Sequence, residues 1–203
     1  MTSSSTNLSE FVAAVAAKQP TPGGGAVAGV VGALAAAIGE MAVNYSVGKK
    51  GLESCQPALE SSLRHLTAAR MMMLQLAAED QLAFEASQAL KKGGAGPDEL
   101  AAALLTAIRV PQAIAATAAA VLDQAVKAAP IANRWLLSDL AVCAELAMAT
   151  VRCGTYNVRV NLNEDLPATD REQFRSWCEV LQHRCVRKIG DLIPLIWNRI
   201  ENG

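Results

Sequence analysis

The chain has 203 residues, a mass of 21.3 kDa and a formal net charge of −1 at pH 7. This length is typical of one domain that buries its own core, so residues 1–203 are expected to form a single domain. With 52% hydrophobic and 18% charged residues, the composition excludes a disordered chain, and the near-neutral charge argues against a nucleic-acid partner. Alanine supplies much of the apolar share. Because alanine favours helices and disfavours strands, the composition predicts an all-α fold.

Hydrophobic periodicity and the positions of proline and glycine divide the chain into helical segments. Long helices joined by short turns predict an antiparallel up-and-down bundle of about six helices, some of them long and kinked, with kinks expected at Pro111 and Pro194. The predicted helices are, in chain order, about Asn7 to Ala17, Ala26 to Val47, Pro57 to just before Gly93, a fourth that opens at Pro97, Asn133 to Asn163, and a last one from Thr169.

Two further features bear on location and metal binding. The longest uncharged apolar stretch, Ala26 to Gly39, is shorter than the ~20 residues that a bilayer-spanning helix needs, so no membrane partner is expected. Five cysteines form no Cys-x-x-Cys pair, which favours a reduced, cytoplasmic setting. Cys178 and Cys185 are seven residues apart and are interpreted as buried thiols, so no metal site is predicted.

The most specific local signal is Pro20-Thr21-Pro22-Gly23-Gly24-Gly25, immediately before the second helix. Consecutive glycines leave backbone N–H groups open to an anion, and a helix N-terminus favours negative charge. We therefore expect these glycines to lie beside a binding cleft. Within the helix, Gly29, Gly32 and Gly39 each cost stability relative to alanine, so they predict that another backbone packs very close.

Two aspartates occupy helical positions whose neighbours are apolar. Asp80 shares its face with Met73, Leu76, Ala77 and Phe84. Asp139 shares its face with Trp135, Leu136, Val142 and Cys143. A carboxylate on such a face is costly unless it is paired or neutral, so each is a candidate functional group. A buried cap or an ion pair with a nearby arginine is the structural alternative.

Other polar residues recur at helical spacing in the fifth helix. Thr150, Gly154, Asn157 and Asn161 form a small polar stripe, which indicates either hydrogen bonds between helices or one wall of a cleft that binds a heterocycle. Lys49 and Lys50 follow the second helix, where they either compensate its dipole or receive carboxylates.

Taken in order, these residues resemble the methenyltetrahydrofolate cyclohydrolase and formimidoyltetrahydrofolate cyclodeaminase family. The resemblance extends from about Glu10 to Asn163, and a usual Leu-Pro-Lys after the third helix is here Leu90-Lys91-Lys92. It rests on Pro20 to Gly25, Gly39-Glu40-Met41 with Asn44, Gly48-Lys49-Lys50, Glu79-Asp80 with Ala83-Phe84, Val110-Pro111, Asn133 with Ser138-Asp139, and Asn157-Val158 with Asn161.

The resemblance implies an all-helical, homodimeric enzyme that acts on a tetrahydrofolate derivative and needs no other cofactor. Asp80 falls on the family's catalytic aspartate, and Asp139 falls on its Ser-Asp pair. The substrate-binding residues expected beside them are Gly23, Gly24, Gly25, Asn44, Lys49, Lys50, Asn133, Ser138, Asn157 and Asn161.

The expected reaction is hydrolysis of 5,10-methenyltetrahydrofolate to 10-formyltetrahydrofolate. Formimidoyltetrahydrofolate cyclodeamination, which releases ammonia, needs the same acid and base roles, so the residues leave both reactions open. A further alternative is a non-catalytic helical dimer that binds folate or a partner helix. The two aspartates on apolar faces distinguish this alternative, since a scaffold has no need of them.

Overall fold

The computed structural model describes residues 7–163 and 165–202. These residues form α-helices and short 3-10 turns without any strand, which confirms the all-α prediction. The six helices are α1 (Leu8–Ala16), α2 (Gly24–Asn44), α3 (Gln56–Gly93), α4 (Pro97–Ala128), α5 (Leu137–Val160) and α6 (Ala168–Asn202). The second begins two residues earlier than the sequence pattern indicates, and the fifth begins four residues later, because a 3-10 turn over Arg134–Leu136 precedes it.

Helices α2 to α5 form an up-and-down four-helix bundle. Along α2, Gly29 contacts Ala77 and Gly32 contacts Met73 of α3, so the residue numbers of the two helices run in opposite directions. The same holds for α5, where Gly24 lies beside Asn157 and Gly39 contacts Cys143. Helix α2 therefore lies antiparallel to both of its neighbours. Helix α4 closes the ring between α3 and α5, and α6 packs mainly on α5. The antiparallel topology thus agrees with the prediction from the short turns.

Glycine allows the helices of this bundle to approach one another closely. A Cβ atom on Gly29 would lie 2.7 Å from the Cβ of Ala77, and one on Gly39 would lie 2.7 Å from the Sγ of Cys143. A Cβ atom on Gly154 of α5 would lie 2.9 Å from the backbone oxygen of Pro111 on α4. The expectation that another backbone packs very close is confirmed at Gly29, whose added Cβ would lie 3.0 Å from the Cα of Ala77. At Gly32 and Gly39 the close neighbours are instead side chains, those of Met73 and Cys143. The alanine-rich core fills the short distances between helix axes.

Two long apolar helices are core elements of this bundle. By length and composition, Gly24–Asn44 and Pro97–Ala128 are each capable of crossing a membrane. Within the bundle, however, 56% of the apolar window of the first helix and 44% of the second are buried against neighbouring helices. Core helices of a bundle combine the same length and composition with burial, so these two helices are no specific sign of a membrane span.

The close approach at Gly154 yields a stability prediction. Gly154→Ala should lower the free energy of unfolding by about 1–3 kcal/mol, because the new methyl group meets the backbone of α4 rather than a movable side chain. Gly190→Ala is the matched control. It is exposed within α6 and has no atom within 4 Å of its added Cβ, so it should stabilise the protein by up to ~1 kcal/mol. Urea unfolding of both variants measures the difference, and equal effects would contradict the packing argument.

Candidate active site

A pocket of about 330 Å³ lies at the end of the bundle where α2 begins. It exists because α2 starts at Gly24, opposite Asp80, whereas α3 continues for another 13 residues to Gly93. The place that a further turn of α2 would occupy is left open between α3, α4 and α5. The pocket is lined by Pro20, Thr21, Gly23, Gly24, Gly25, Asp80, Ala83, Phe84, Ser87, Gln88, Lys91, Ala107, Pro111, Asn157, Val160 and Asn161.

Asp80 faces the first turn of α2. Its carboxylate accepts a hydrogen bond from the backbone N–H of Ala26, so a side chain of α3 partly caps a helix whose own N-cap residue, Gly23, provides no side-chain bond. A Cβ atom on Gly25 would overlap this carboxylate. Glycine at position 25 is therefore a requirement of the site, since it lets an anion reach backbone donors at the positive end of the helix dipole.

Burial and hydrogen bonding act on Asp80 in opposite directions. Asp80 is half-buried, and the loss of solvent raises the pKa of its carboxyl group above the usual value, while the hydrogen bond from Ala26 opposes part of this shift. A carboxylate with a raised pKa is a stronger base than an exposed one. Glu79, its neighbour in sequence, is exposed, as the helical pattern indicates.

The asparagines of α5 form the opposite wall of the pocket. The Asn161 side-chain amide donates to the backbone oxygens of Ala107 (3.0 Å) and Asn157 (2.9 Å), so it ties the end of α5 to α4. The Asn157 amide donates to the Cys153 carbonyl at 2.9 Å, and its Oδ1 lies beside Gly24. Thr150 and Gly154 are buried in packing contacts. The polar stripe therefore combines both interpretations, helix-to-helix bonding and a cleft wall.

The glycine loop is held against α3 by Thr21. Its hydroxyl donates to a carboxylate oxygen of Glu85 at 3.1 Å, which places Pro20 and Thr21 on the rim of the pocket. Sequence reasoning did not select Thr21, Ser87, Gln88 or Lys91 as site residues. A usable signal was present, because Ser87, Gln88 and Lys91 follow Asp80 at helical spacings of seven, eight and eleven residues and so share its face.

The remaining expected site residues lie at the other end of the bundle. Asp80 faces Gly25 at one end of α2, and Cys143 contacts Gly39 near the other end. Asp139 lies one helical turn beyond Cys143, in the direction away from Asp80. At 1.5 Å per residue, Asp80 and Asp139 are separated by roughly 27 Å along the bundle axis. The expectation of one site that contains both aspartates is therefore not met within one chain. The distant set consists of Asn44, Lys49, Lys50, Asn133, Ser138 and Asp139.

The surroundings of Asp139 also differ from the expected apolar face. Asp139 is half-buried. On its face Cys143 is buried and Leu136 is half-buried, whereas Trp135 is 74% exposed and Val142 is 48% exposed, so part of this face opens to solvent in the single chain. The Arg134 guanidinium lies over the Trp135 ring at 5.0 Å. Nearby, the backbone N–H of Asn133 donates to the Ser46 hydroxyl at 2.9 Å, which anchors the turn before α5 to the end of α2.

Metal-binding clusters are not a feature of this pocket. Within the part of the chain that the structure describes, no three histidine, cysteine, aspartate or glutamate side chains come together to hold an ion. Cys178 and Cys185 are buried, and burial raises the pKa of both thiols, which is the behaviour expected of core cysteines.

Comparison with known proteins gives this pocket its context. The family model described as formiminotransferase-cyclodeaminase matches residues 7–179, which contain the whole pocket. The chain belongs to this family. A methenyltetrahydrofolate cyclohydrolase of Methylorubrum extorquens is 32% identical over 162 residues, which cover 76% of this chain and 78% of the relative.

Two other relatives differ in how much of their own length the match covers. The formimidoyltransferase-cyclodeaminase of Mus musculus is 30% identical over 167 residues, and this match spans 78% of the chain but only 31% of the mouse protein. The crystal structure of a formiminotetrahydrofolate cyclodeaminase from Thermotoga maritima superposes with a TM-score of 0.81 at 32% identity and covers 96% of both chains. The resemblance inferred from the motifs is confirmed.

The contact between Gly25 and Asp80 is tested by comparing an alanine substitution at Gly25 with the same substitution at Gly24. Gly25→Ala should lower the free energy of unfolding by about 1–3 kcal/mol, because the added methyl group must displace the Asp80 carboxylate from the N-terminus of α2. Gly24→Ala should have little effect, since its Cβ would meet the Asn157 Oδ1 at an ordinary 3.5 Å. Thermal unfolding compares the two. If Gly25→Ala were as stable as Gly24→Ala, the close contact between the Asp80 carboxylate and the backbone at position 25 would not contribute to stability.

Proposed function

We propose that the chain catalyses a folate one-carbon interconversion, the hydrolysis of 5,10-methenyltetrahydrofolate to 10-formyltetrahydrofolate. The observation that supports it most directly is Asp80, a half-buried carboxylate with a raised pKa in the pocket at the N-terminus of α2. The named activities of the relatives in Methylorubrum extorquens and Thermotoga maritima give the substrate class.

The proposed chemistry uses one water molecule and a proton-transfer group. Methenyltetrahydrofolate carries a cationic carbon that bridges N5 and N10. Water attacks this carbon while the Asp80 carboxylate accepts one of its protons, which gives a neutral tetrahedral intermediate. The bond from carbon to N5 then breaks, N5 takes the proton from Asp80, and the second water proton is released as the formyl group forms on N10. In a half-buried site the negative carboxylate also stabilises the cationic substrate.

The pocket walls suit a flat heterocycle with polar edges. Phe84, Pro111 and Val160 provide apolar surface, while Asn157 and the backbone of Gly23 to Gly25 provide hydrogen-bonding groups. The Asn161 side-chain amide is engaged by two backbone oxygens, so we assign it mainly to holding α5 in place. In this proposal the ring system lies between α3 and α5, with the reacting carbon at Asp80.

Cyclodeamination of formimidoyltetrahydrofolate is the second candidate reaction. It is favoured by the names of the Thermotoga maritima structure and of the vertebrate relatives. N10 would attack the formimidoyl carbon on N5 and ammonia would leave, with Asp80 again moving the proton. Parallel assays of methenyltetrahydrofolate absorbance and of ammonia release distinguish the two reactions. Binding of folate without turnover in either assay would favour the non-catalytic alternative.

Replacement of Asp80 tests the proposed base. Asp80→Asn should lower kcat by ~10²–10⁴, because the amide cannot accept the proton. Since burial disfavours the charged form and raises its pKa, the variant should be as stable as the wild type, or more stable, at pH 7. In the wild type, kcat/KM should fall as Asp80 is protonated, with a midpoint above that of an ordinary carboxyl group, whose pKa is ~4.

Glu79→Gln is the matched control for this experiment, since it removes the neighbouring exposed carboxylate and should leave kcat unchanged. Substrate should still stabilise Asp80→Asn against thermal unfolding, and this result would show that the variant binds the substrate. Near-wild-type turnover in Asp80→Asn would remove Asp80 from the mechanism.

We also propose that the chain acts as a homodimer that pairs two copies of α2. One side of this helix and its C-cap carries an apolar stripe at helical spacing that the single chain leaves partly exposed, with Leu34 52% exposed and Tyr45 64% exposed. The stripe consists of Val27, Val31, Leu34, Ile38, Met41 and Tyr45. On the adjoining helices, Leu74 of α3 and Val142 and Tyr156 of α5 extend the exposed apolar surface on either side.

The symmetry of α2 indicates how a second copy fits this surface. Leu34 is the middle residue of Gly24–Asn44, so a two-fold axis at Leu34 sets the Gly24 end of one copy against the Asn44 end of the other. This arrangement brings the distant set, with Asn44 and Asp139, to the mouth of the other copy's pocket. Helix α1 supports pairing too. Its apolar residues Leu8 and Val12 remain exposed within the described chain.

The dimer is tested by size and by mixing of variants. Wild-type protein should sediment at twice 21.3 kDa, and Leu34→Glu should sediment as a folded monomer, because it sets two charges together at the axis. Gln75→Glu, on an exposed position of α3 away from the axis, is the charge-matched control.

Mixing of variants tests whether each site uses Asp80 of one copy and Asp139 of the other. Inactive Asp80→Asn and Asp139→Asn proteins, dissociated and reassociated together, should then regain about a quarter of wild-type activity, because half of the dimers are mixed and each mixed dimer has one intact site. No regained activity would contradict a shared site.

A further inference from the structure

A second pocket, of about 350 Å³, adjoins the first along α3 and α4. Ser87 and Lys91 line both pockets, so the two form one continuous cleft. From Asp80 the cleft follows a single face of α3 for three turns, through Ser87 to Lys91. This corresponds to ~16 Å along the helix axis at 1.5 Å per residue.

The walls of the second pocket differ in character from those of the first. Pro97, Leu100, Ala101 and Leu104 recur at helical spacing on the first two turns of α4 and form an apolar strip. Lys91 lies at the junction with the first pocket, and its side chain takes part in none of the ion pairs formed among the described residues. The cleft therefore passes from a carboxylate at Asp80 to an apolar strip with a cation beside it.

We propose that this second pocket holds the p-aminobenzoyl-glutamate arm of the substrate, with Lys91 paired to a glutamate carboxylate. The inference rests on the proposed folate reaction at Asp80 and extends it along the cleft. From the reacting carbon to the nearer carboxylate, the arm spans ~10 Å at ordinary covalent bond lengths. The length of the lysine side chain covers the remaining distance. The aminobenzoyl ring, which is bonded to N10, lies at the Leu104 end of the apolar strip, and the glutamate lies beyond it.

The other cations of the chain are compared with Lys91. Lys92 lines a neighbouring groove whose residues Pro20, Phe84 and Gln88 also line the first pocket, so Lys92 is the alternative cation for the glutamate. Lys49 and Lys50 follow the far end of α2, so within one chain they are remote from Asp80. Asp165 lines the second pocket as well, and its negative charge opposes a bound carboxylate. Among the described residues that line the second pocket, Lys91 is the one cation, so we assign the attraction to it, and neutralising Asp165 should strengthen it.

The test compares a substrate that has the glutamate with one that lacks it. Wild-type turnover of methenyltetrahydrofolate is measured first. If there is none, the proposed reaction fails, and the assignment of the arm fails with it. If there is turnover, the Lys91 variant tests the arm assignment separately. Lys91→Met, which keeps the aliphatic stem, should raise KM for methenyltetrahydrofolate about tenfold with kcat unchanged, the usual effect of losing one charge-assisted hydrogen bond. For methenyltetrahydropteroate, which has no glutamate, KM should not change.

Two further variants complete the comparison. Lys92→Met should leave KM for both substrates unchanged, and Asp165→Asn should lower KM for the glutamate-bearing substrate only. An equal rise in KM for both substrates in Lys91→Met would show that Lys91 acts on the ring system or the fold, and would overturn the proposal. The same holds if Lys91→Met has no effect while a Lys49→Met, Lys50→Met double variant raises KM for the glutamate-bearing substrate, which would assign the arm to a second copy.

Discussion

The approach of the Asp80 carboxylate to the first turn of α2 is the contact on which the rest of the site depends. It requires Gly25, because a side chain there would occupy the space of the carboxylate, and it requires a helix that begins at that level. The helix N-terminus stabilises the anion, while burial acts against it and raises its pKa. These two effects leave the carboxylate in place but more basic than an exposed aspartate, as proton transfer at neutral pH demands.

The small residues of α2 connect this contact to the bundle. Because Gly29 and Gly39 allow α3 and α5 to approach the backbone of α2, the three helices pack with little space between them. The open volume of the candidate site lies instead where α2 stops. Helices α3 and α4 continue beyond that point and form the walls of the cleft from Asp80 to Lys91.

The separation of the two aspartates changes what a complete site requires. A rigid bundle holds Asp80 and Asp139 roughly 27 Å apart along its axis, and no side-chain movement closes such a distance. A second copy placed antiparallel on the apolar stripe of α2 would close it without any change in the chain. In our proposal, the same apolar surface that stabilises the dimer also determines which residues meet at the pocket mouth.

The sequence by itself determined the helical class and the order of the helices, because composition, helical spacing and glycine placement are local properties. It also selected Gly25, Asp80 and Asn157 as candidate site residues, and these three line one pocket. It also carried the family resemblance that the comparisons confirmed. It could not show that Asn44, Lys49 and Asp139 lie far from Asp80, since a distance between helices depends on their direction and register. Nor did it select Lys91, because the cleft arises only where α3 and α4 extend past the first residue of α2. Only the tertiary structure decided these points, since an open volume is a property of how helices end relative to one another.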